Sequence, residues 1–255
     1  MLVVHTALHG YTIEATDGRL GTVADFLIDD RSWQCRWLVV DNGNWLSGRK
    51  VLLHPSALGR VDHDHKFIPV NLTQQKVQDS PGLAEHQPVS RQYELGQYEY
   101  YGWDPFWGSR LYGYSEMGEF AGPPRYFGGQ NLSLSADIPR HVTDASPNLR
   151  SLAEISGYTV HATDGDIGHV ENMLVDDSSW GVRYLIVDTS NWWFGKRVLM
   201  SPFAITDISY ETGTIAVNVT RSAVKGSPPW DPIDLIHQDM QERLHSYYGW
   251  QGYGW

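Results

Sequence analysis

Residues 10–55 read GYTIEATDGRLGTVADFLIDDRSWQCRWLVVDNGNWLSGRKVLLHP, and residues 157–202 read GYTVHATDGDIGHVENMLVDDSSWGVRYLIVDTSNWWFGKRVLMSP. The two stretches align at a constant offset of 147, and the alignment continues without a gap to Pro81 and Pro228, with 32 identities in 72 positions. Such a repeat predicts two copies of one structural unit in this 255-residue chain. A residue type kept in both copies serves something that both units share, which is usually the fold.

Each copy opens with a turn signal between two strand-like segments. Asp17-Gly18 and Asp164-Gly165 are Asp-Gly pairs, which favour tight hairpins because Gly adopts positive φ without a steric penalty. Gly21 and Gly168 then fall inside the second strand of each hairpin. A glycine at that position predicts a β-bulge or a close approach of another backbone.

The next segment of each copy is apolar on both faces. Residues 36–41 read RWLVVD and residues 183–188 read RYLIVD, which is typical of a strand covered on both sides. With its neighbours it gives each copy five or six short strands separated by turn signals. We therefore predict an all-β protein of two tandem small antiparallel β-barrels, closed or partly open.

A helical signal follows each barrel. Asp231-Pro232 places a capping residue before a proline suited to the first helical position. An apolar stripe at helical spacing continues from it, through Ile233, Ile236, Met240, Leu244 and Tyr247. The first copy has a weaker counterpart at residues 90–101, interrupted by Gly96. We expect a short helix after each barrel.

The two copies are separated by a segment without helical or strand periodicity. We predict a first barrel with its helix at 1–103, a long irregular linker rich in Gly and Pro at 104–150, and a second barrel with its helix at 151–255. Residues 93–128 hold 12 of the chain's 32 aromatic side chains. These aromatics either pack onto the barrels or form a surface for a partner, and both interpretations are open.

Composition narrows the class of protein. The net charge is −11 at pH 7, which disfavours direct binding to nucleic acid because phosphate contacts need Lys and Arg. Cys35 is the single cysteine, so no intramolecular disulfide forms. The N-terminus does not resemble a secretory signal, and no apolar run reaches the about 18 residues that span a bilayer. We expect a cytoplasmic protein without a transmembrane segment.

Several polar clusters suggest chemistry when viewed in isolation. Asp29-Asp30 and Asp176-Asp177 are adjacent acids, but neighbours on a strand point to opposite faces, so we assign them to turns and caps. Asp62-His63-Asp64-His65 has metal-ligating residue types, yet the second copy has Ser209-Tyr210-Glu211-Thr212 there, and we predict an exposed polar turn. Cys35 is matched by Val182, which argues against a thiol chemistry shared by both copies. We predict no catalytic, metal or cofactor site.

Aromatic residues are the candidate partner contacts. Trp33 and Trp180, like Trp45 and Trp192, are shared by the two copies and either plug the barrel ends or anchor a partner. Trp193 is matched by Leu46, so it is the better candidate for an exposed contact. The repeated Tyr-Tyr-Gly-Trp motif adds two further candidates, Tyr101 and Trp103.

Three motifs occur in order in both copies: ATDGx[IL]GxV, DDxxWxxR[WY]L[VI]VD and NWxxG[RK][KR]VL. Together they resemble the PRC-barrel family, which includes the cytoplasmic domain of the photosynthetic reaction-centre H subunit and the C-terminal domain of a ribosome maturation factor. The resemblance covers both barrels and the trailing helices. It implies a small β-barrel, but the chain shows neither the transmembrane helix of the first relative nor the N-terminal domain of the second.

The resemblance leaves several functions open, because a fold does not fix a function. Our first hypothesis is a non-catalytic protein-interaction or adaptor module that binds a protein partner and can self-associate as a homodimer. The first alternative is a ribosome- or RNA-processing-associated assembly factor. The second is a peripheral component of a photosynthetic or electron-transfer membrane assembly, reached only through a partner. We expect the chain not to be an enzyme.

Overall fold

The structure is a computed structural model. It describes residues 1–43, 49–84, 89–103, 148–189, 196–228, 230 and 237–252. Nearly all of the predicted linker, and the loops that carry Trp45, Trp192 and Trp193, lie outside the described residues.

The first copy is built mainly from strands, as the prediction required. Its strands and helices, together with the strand that precedes it, are β1 Leu2–Val4, β2 Thr12–Ala15, β3 Gly18–Asp29, β4 Cys35–Asp41, β5 Arg49–Leu53, β6 Phe67–Pro69, α1 Gln74–Gln78, β7 Leu83–Ala84 and α2 Arg91–Tyr101. Short 3-10 turns cover His5–Leu8 and Pro55–Ala57.

The second copy repeats this order. Its elements are β8 Leu149–Ser151, α3 Leu152–Ile155, β9 Thr159–Ala162, β10 Gly165–Asp176, β11 Val182–Asp188, β12 Arg197–Met200, β13 Ile205–Ser209, β14 Thr214–Val217, α4 Arg221–Gly226 and α5 Gln238–Tyr248. A 3-10 turn covers Pro202–Ala204.

The strands form two sheets of seven strands each. The first has the order β6-β2-β3-β4-β5-β7 with β8 added to β3, and the second has the order β12-β11-β10-β9-β14-β13 with β1 added to β10. The prediction of a mostly β protein is therefore confirmed. Among the described residues each sheet is an open path, and no closed barrel is found.

The sheets are also mixed rather than purely antiparallel, so that part of the prediction is wrong. β2 pairs in parallel with β6, with Ile13 opposite Ile68, and β9 pairs in parallel with β14, with Val160 opposite Ile215. The reason is the path of the chain. After β5 and β12 it passes through a 3-10 turn before returning beside the first strand of the copy, and such a crossover allows parallel pairing.

The predicted bulges occur beside Gly21 and Gly168. The register between β2 and β3 shifts after Ile13, which pairs with Gly21, and the shift recurs in β9 and β10 at Gly168. A Cβ on Gly21 would lie 2.1 Å from the carbonyl oxygen of Asp41, and one on Gly168 would lie 1.9 Å from that of Asp188. Only glycine permits these strands to approach so closely.

The two long helices end alike but begin differently. α2 starts after Ser90, whose hydroxyl accepts from the Tyr93 amide at 3.2 Å, and the predicted helix at 90–101 is confirmed. α5 starts at Gln238, and the residue before it, His237, has an extended backbone. A helix that runs on from Asp231-Pro232 into α5, as predicted, is therefore wrong. Residues 231–236 themselves lie outside the described residues. Both helices end in a left-handed glycine, Gly102 or Gly249.

Each copy gives one strand to the sheet of the other. β1 lies before the first copy but pairs with β10, with Val3 opposite Val175. β8 lies before the second copy but pairs with β3, with Arg150 opposite Ile28. Both pairings obey the offset of 147, so the exchange is symmetric. β8 begins at Leu149, within the segment predicted as the linker.

The exchange produces one shared core. A single cluster of buried apolar side chains contains residues of both copies, for example Phe26 and Ile28 from the first and Val175 and Trp180 from the second. Two smaller clusters lie beneath α2 and α5 on the outer face of each sheet. We call each sheet with its helices a module, and the contact between the two the junction.

Candidate interaction surface

Trp33 and Trp180 lie in the junction. Only 6% and 5% of their surfaces are exposed, and the Trp180 ring stacks on Phe26 with centroids 6.0 Å apart. Their carbonyl oxygens accept from the amides of Val182 and Cys35, at 2.8 and 2.9 Å respectively. Both tryptophans have positive φ, near +57°, which costs energy for a bulky residue and persists because the surrounding contacts require it. In this fold their side chains pack within the chain and offer no surface to another protein.

The first acid of each pair shapes its turn. Asp29 accepts from the amide and hydroxyl of Ser32, and Asp176 accepts from the amide and hydroxyl of Ser178. Partial burial opposes ionisation of Asp176, but the bonds from Ser178 and Arg183 outweigh it and lower the pKa of Asp176 to about 2. The assignment of these acids to turns is confirmed.

The second acid of each pair reaches across the junction. Asp30 accepts from the hydroxyl of Tyr210 at 2.7 Å, and Asp177 lies 2.7 Å from Nε2 of His63. Tyr210 and His63 occupy the same position in the two copies. Arg150 adds a cation–π contact 3.8 Å above the Tyr210 ring. The sequence comparison missed this role because it treated each copy alone.

His63 and His65 of the Asp-His-Asp-His segment therefore have different environments. His63 contacts Asp177, whereas the exposed His65 lies 3.0 Å from Asp62 within its own turn. The predicted exposed polar turn describes His65 but not His63, which joins the two modules. Within the described residues no group of three or more His, Cys, Asp or Glu side chains is arranged to hold a metal ion.

The repeated Tyr-Tyr-Gly-Trp motif fastens the end of each long helix. Tyr100 donates to the carbonyl of Lys76 at 3.0 Å, and the equivalent Tyr247 donates to the carbonyl of Ala223 at 2.9 Å. The last two aromatics of each motif stack, with centroids 4.1 and 4.2 Å apart, in the pairs Tyr101 with Trp103 and Tyr248 with Trp250. Of the two predicted contacts in this motif, Tyr101 is buried and Trp103 is half-buried.

A buried ion cluster lies beneath α2. Glu94 is fully buried and accepts from Nη2 of Arg36 and from Nε1 of Trp37, both at 2.7 Å. Arg36 also lies 3.5 Å from Asp29 at the end of β3. Sequence reasoning missed this cluster, because an acid in a helix is usually exposed. The repeat keeps Arg36 as Arg183 but has Gln241 in place of Glu94, so comparing the two copies did not point to the pair.

Beneath α5 the same positions hold mostly neutral groups. Nδ1 of His245 lies 2.6 Å from the carbonyl oxygen of Gln251. Since a carbonyl only accepts, Nδ1 carries the proton and Nε2 accepts from the Tyr184 hydroxyl at 2.9 Å. Gln241 lies 3.4 Å from the same hydroxyl. Burial lowers the pKa of His245, and the bond to Gln251 offsets part of that effect.

His54 completes the cluster beneath α2. Its ring is 6% exposed and lies among three aromatic rings, with centroids 5.5–5.8 Å away, which belong to Trp37, Tyr98 and Trp103. Nδ1 of His54 accepts from the amide of Ser56 at 3.3 Å. Burial and, to a smaller extent, the neighbouring Arg36 charge together lower the pKa of His54 to about 4. The equivalent position in the second copy is Ser201.

The described surface has few large apolar side chains in contact with water. The exposed ones are Met1, Tyr100, Phe203 and Tyr247. A shallow depression runs along α5 beside Tyr247, lined by Asp239, Glu242, Arg243 and Ser246. Within the described residues no helix is both long and apolar enough to cross a membrane.

Comparison with known proteins gives a domain assignment for part of the chain. The family model of the PRC-barrel domain matches residues 147–224, which run from the start of β8 into α4. An uncharacterized protein of Deinococcus radiodurans is 33% identical over 72 residues, which is 28% of this chain and 26% of that protein. The match thus spans about a quarter of the length of that relative.

Proposed function

We propose that the chain is a non-catalytic protein-interaction module built from two PRC-barrel domains that act as one body. The family match at residues 147–224 supports the second domain, and PRC-barrels are often interaction domains. The 32 identities between residues 10–81 and 157–228 support a first domain of the same kind. Five neighbouring strands follow the same order in the two sheets, β6-β2-β3-β4-β5 in the first and β14-β9-β10-β11-β12 in the second, which agrees with this.

The main support for the proposal is that residues shared by the two copies make the contacts between the modules. Trp33 and Trp180 pack in the junction, Asp30 and Asp177 bond across it, and the exchanged strands pair across it. Residues that would mark a shared active site instead hold the two modules together. A platform of this kind interacts through its outer surface and its copy-specific loops.

The ionisable groups in the interior support a non-catalytic role. Glu94 is bonded to Arg36 and Trp37, which supports a structural role for this carboxylate. Burial raises the pKa of the Cys35 thiol, and a thiol that stays protonated is a poor nucleophile. Each of these groups is best explained by packing within the protein.

We propose that a protein partner binds at aromatic residues outside the junction, above all at those that the second copy alone carries. Trp193 is the first candidate. Trp192 precedes it in the chain, and Trp45 is the equivalent of Trp192 in the first copy. Phe203 and Tyr247 are exposed apolar side chains of the second module, and Phe203 is matched by Ser56. Aromatic side chains provide much of the binding energy at protein interfaces. The net charge of −11 favours a partner that is not a nucleic acid.

Affinity capture with matched variants tests the proposal. The immobilised full chain is compared with Trp193→Leu, which copies Leu46, with Phe203→Ser, which copies Ser56, and with the exposed His65→Ser as a control. The expected result is a protein that the wild type and His65→Ser recover at several salt concentrations and that the aromatic variants recover at least tenfold less. Equal recovery by all four baits would contradict the proposed surface.

The identity of the captured proteins separates the alternatives. Recovery of ribosomal proteins would replace the adaptor role with that of an assembly factor, and recovery of membrane electron-transfer subunits would favour the third function. Light scattering on the bait tests the predicted homodimer, and fractionation of cells tests the cytoplasmic location. Turnover of a substrate by the chain would overturn the non-catalytic proposal.

A further inference from the structure

Helix α2 is held to the first sheet by apolar contacts and by buried polar contacts of one acid. Its apolar contacts with the sheet are made by Tyr98, which packs with Trp37, Leu52 and Val89 in one cluster. Its polar contact is made by Glu94, which accepts from Arg36 and Trp37 on β4. Docking of the helix therefore depends in part on a match in charge between a buried carboxylate and a buried guanidinium.

His54 lies at the point where a change of charge would disturb this match. The elements packed around its ring are β4, α2 and the residue Trp103 after α2. The charged groups that these elements contribute are Arg36 from β4 and Glu94 from α2, with Asp29 of β3 bonded to Arg36. Both oxygens of Glu94 already accept hydrogen bonds or ion-pair contacts from β4. A proton on His54 would add a second cation beside Arg36 in an apolar cage.

The second module has no such histidine. Ser201 replaces His54 and bonds to the amide of Phe203, and Gln241 replaces Glu94. The buried His245 of α5 itself is the titratable group there, and burial lowers its pKa too, but the bond from Nδ1 to the Gln251 carbonyl offsets part of that effect. The two helices have the same length and the same glycine at the C-terminal end, so they differ mainly in the groups beneath them.

We propose that acidification releases α2 from the first sheet while α5 stays docked, with His54 as the residue that senses the pH. This device acts independently of the proposed function. In the released state His54 binds a proton as a free imidazole does, whereas in the docked state burial and Arg36 oppose the proton. Between pH 6.5 and 4 each unit of acidification shifts the equilibrium about tenfold toward release.

Hydrogen exchange of the full chain tests the device. Protection factors of the amides of residues 94–101 are compared with those of residues 241–248 between pH 7.5 and 4.5. The expected result is that protection in α2 falls steeply as the pH is lowered, while protection in α5 falls much less. His54→Ser, which copies Ser201, should remove most of the pH dependence from α2, and His65→Ser should leave it unchanged.

A second measurement keeps the test decisive if His54→Ser does not fold. The ring resonance of His54 in the wild type is followed by NMR against pH, with the exposed His65 as an internal comparison. Titration of His54 well below pH 6, together with loss of α2 protection, supports the device. Titration of His54 at or above pH 6.5, or the same exchange profile in wild type and His54→Ser, would overturn it.

Discussion

The two modules share a backbone but not the chemistry beneath their long helices. At α2 the acid Glu94 pairs with Arg36 beside His54. At α5 the arginine is kept as Arg183, but Gln241 and Ser201 replace the other two residues. Both helices nevertheless end in the same glycine and the same aromatic stack. The difference indicates that the fold depends on the end of each helix and on the junction, whereas the groups beneath the helix can differ between the copies.

This contrast changes how a repeated sequence is best interpreted. Residues kept in both copies, such as Trp33 and Trp180, mark the contact between the modules. Residues that differ mark properties of one module alone. The first module has a buried acid and a buried histidine where the second has Gln241 and Ser201, and it should therefore be the more sensitive of the two to substitution and to pH.

The largest difference is expected when the polar group beneath each helix is removed. Glu94→Ala leaves Arg36 buried without its main carboxylate, which should lower the free energy of unfolding by about 3–5 kcal/mol. Gln241→Ala removes a weak neutral contact at 3.4 Å and should cost about 1 kcal/mol or less. Urea unfolding of both variants checks this. Equal losses would show that the charges beneath α2 are not a special feature of the first module.

A smaller difference is expected in the response to acid. His5 and His54 are buried, and burial lowers the pKa of each to about 4 from an ordinary value near 6.5. The unfolded chain then binds these protons first as the pH falls, so stability is complete above pH 6.5 and is lost from there toward pH 4. At pH 5 the loss should be about 2 kcal/mol for each histidine.

Matched variants isolate this acid response. The second module has Leu152 and Ser201 where the first has His5 and His54, so the test compares wild type with His5→Leu and His54→Ser. The difference in unfolding free energy between pH 7.5 and pH 5 should shrink in each variant. Variants that lose as much stability as the wild type would assign acid sensitivity to other groups.

The smallest difference is expected at the first turn of each helix. Ser90 caps α2 through its hydroxyl, while His237 makes no side-chain bond at the start of α5. Ser90→Ala should cost about 1 kcal/mol, and His237→Ala should cost close to nothing. Thermal unfolding followed by circular dichroism measures both. An equal effect would remove the distinction between the two helix starts.

Local patterns predicted part of this structure well. The hairpins, the bulges at Gly21 and Gly168, the covered strand at residues 36–41 and the helix at 90–101 each follow from a few neighbouring residues. The start of α5 was predicted wrongly because Asp231-Pro232 is a good local start signal, yet the chain is extended at His237. The PRC-barrel prediction is supported at residues 147–224.

Features that depend on distant residues were not predictable in this way. The exchange of β1 and β8 leaves no local signal, because Leu2–Val4 and Leu149–Ser151 are three-residue segments that would suit either sheet. The bonds of Asp30 and Asp177 to the opposite module, and the burial of Glu94, likewise depend on partners more than 50 positions away. Roles of the tryptophans in the 44–48 and 190–195 loops remain predictions.

The central claim is that each module completes its sheet with a strand from the other, and disulfide trapping tests it most directly. Val3 lies opposite Val175 of the second sheet, and the position equivalent to Val175 in the first sheet is Ile28. In a Cys35→Val background, Val3→Cys is combined either with Val175→Cys or with Ile28→Cys, because directly paired strand residues have the spacing that a disulfide needs. The account predicts rapid disulfide formation within the monomer between positions 3 and 175 and none between 3 and 28; the reverse result would contradict it.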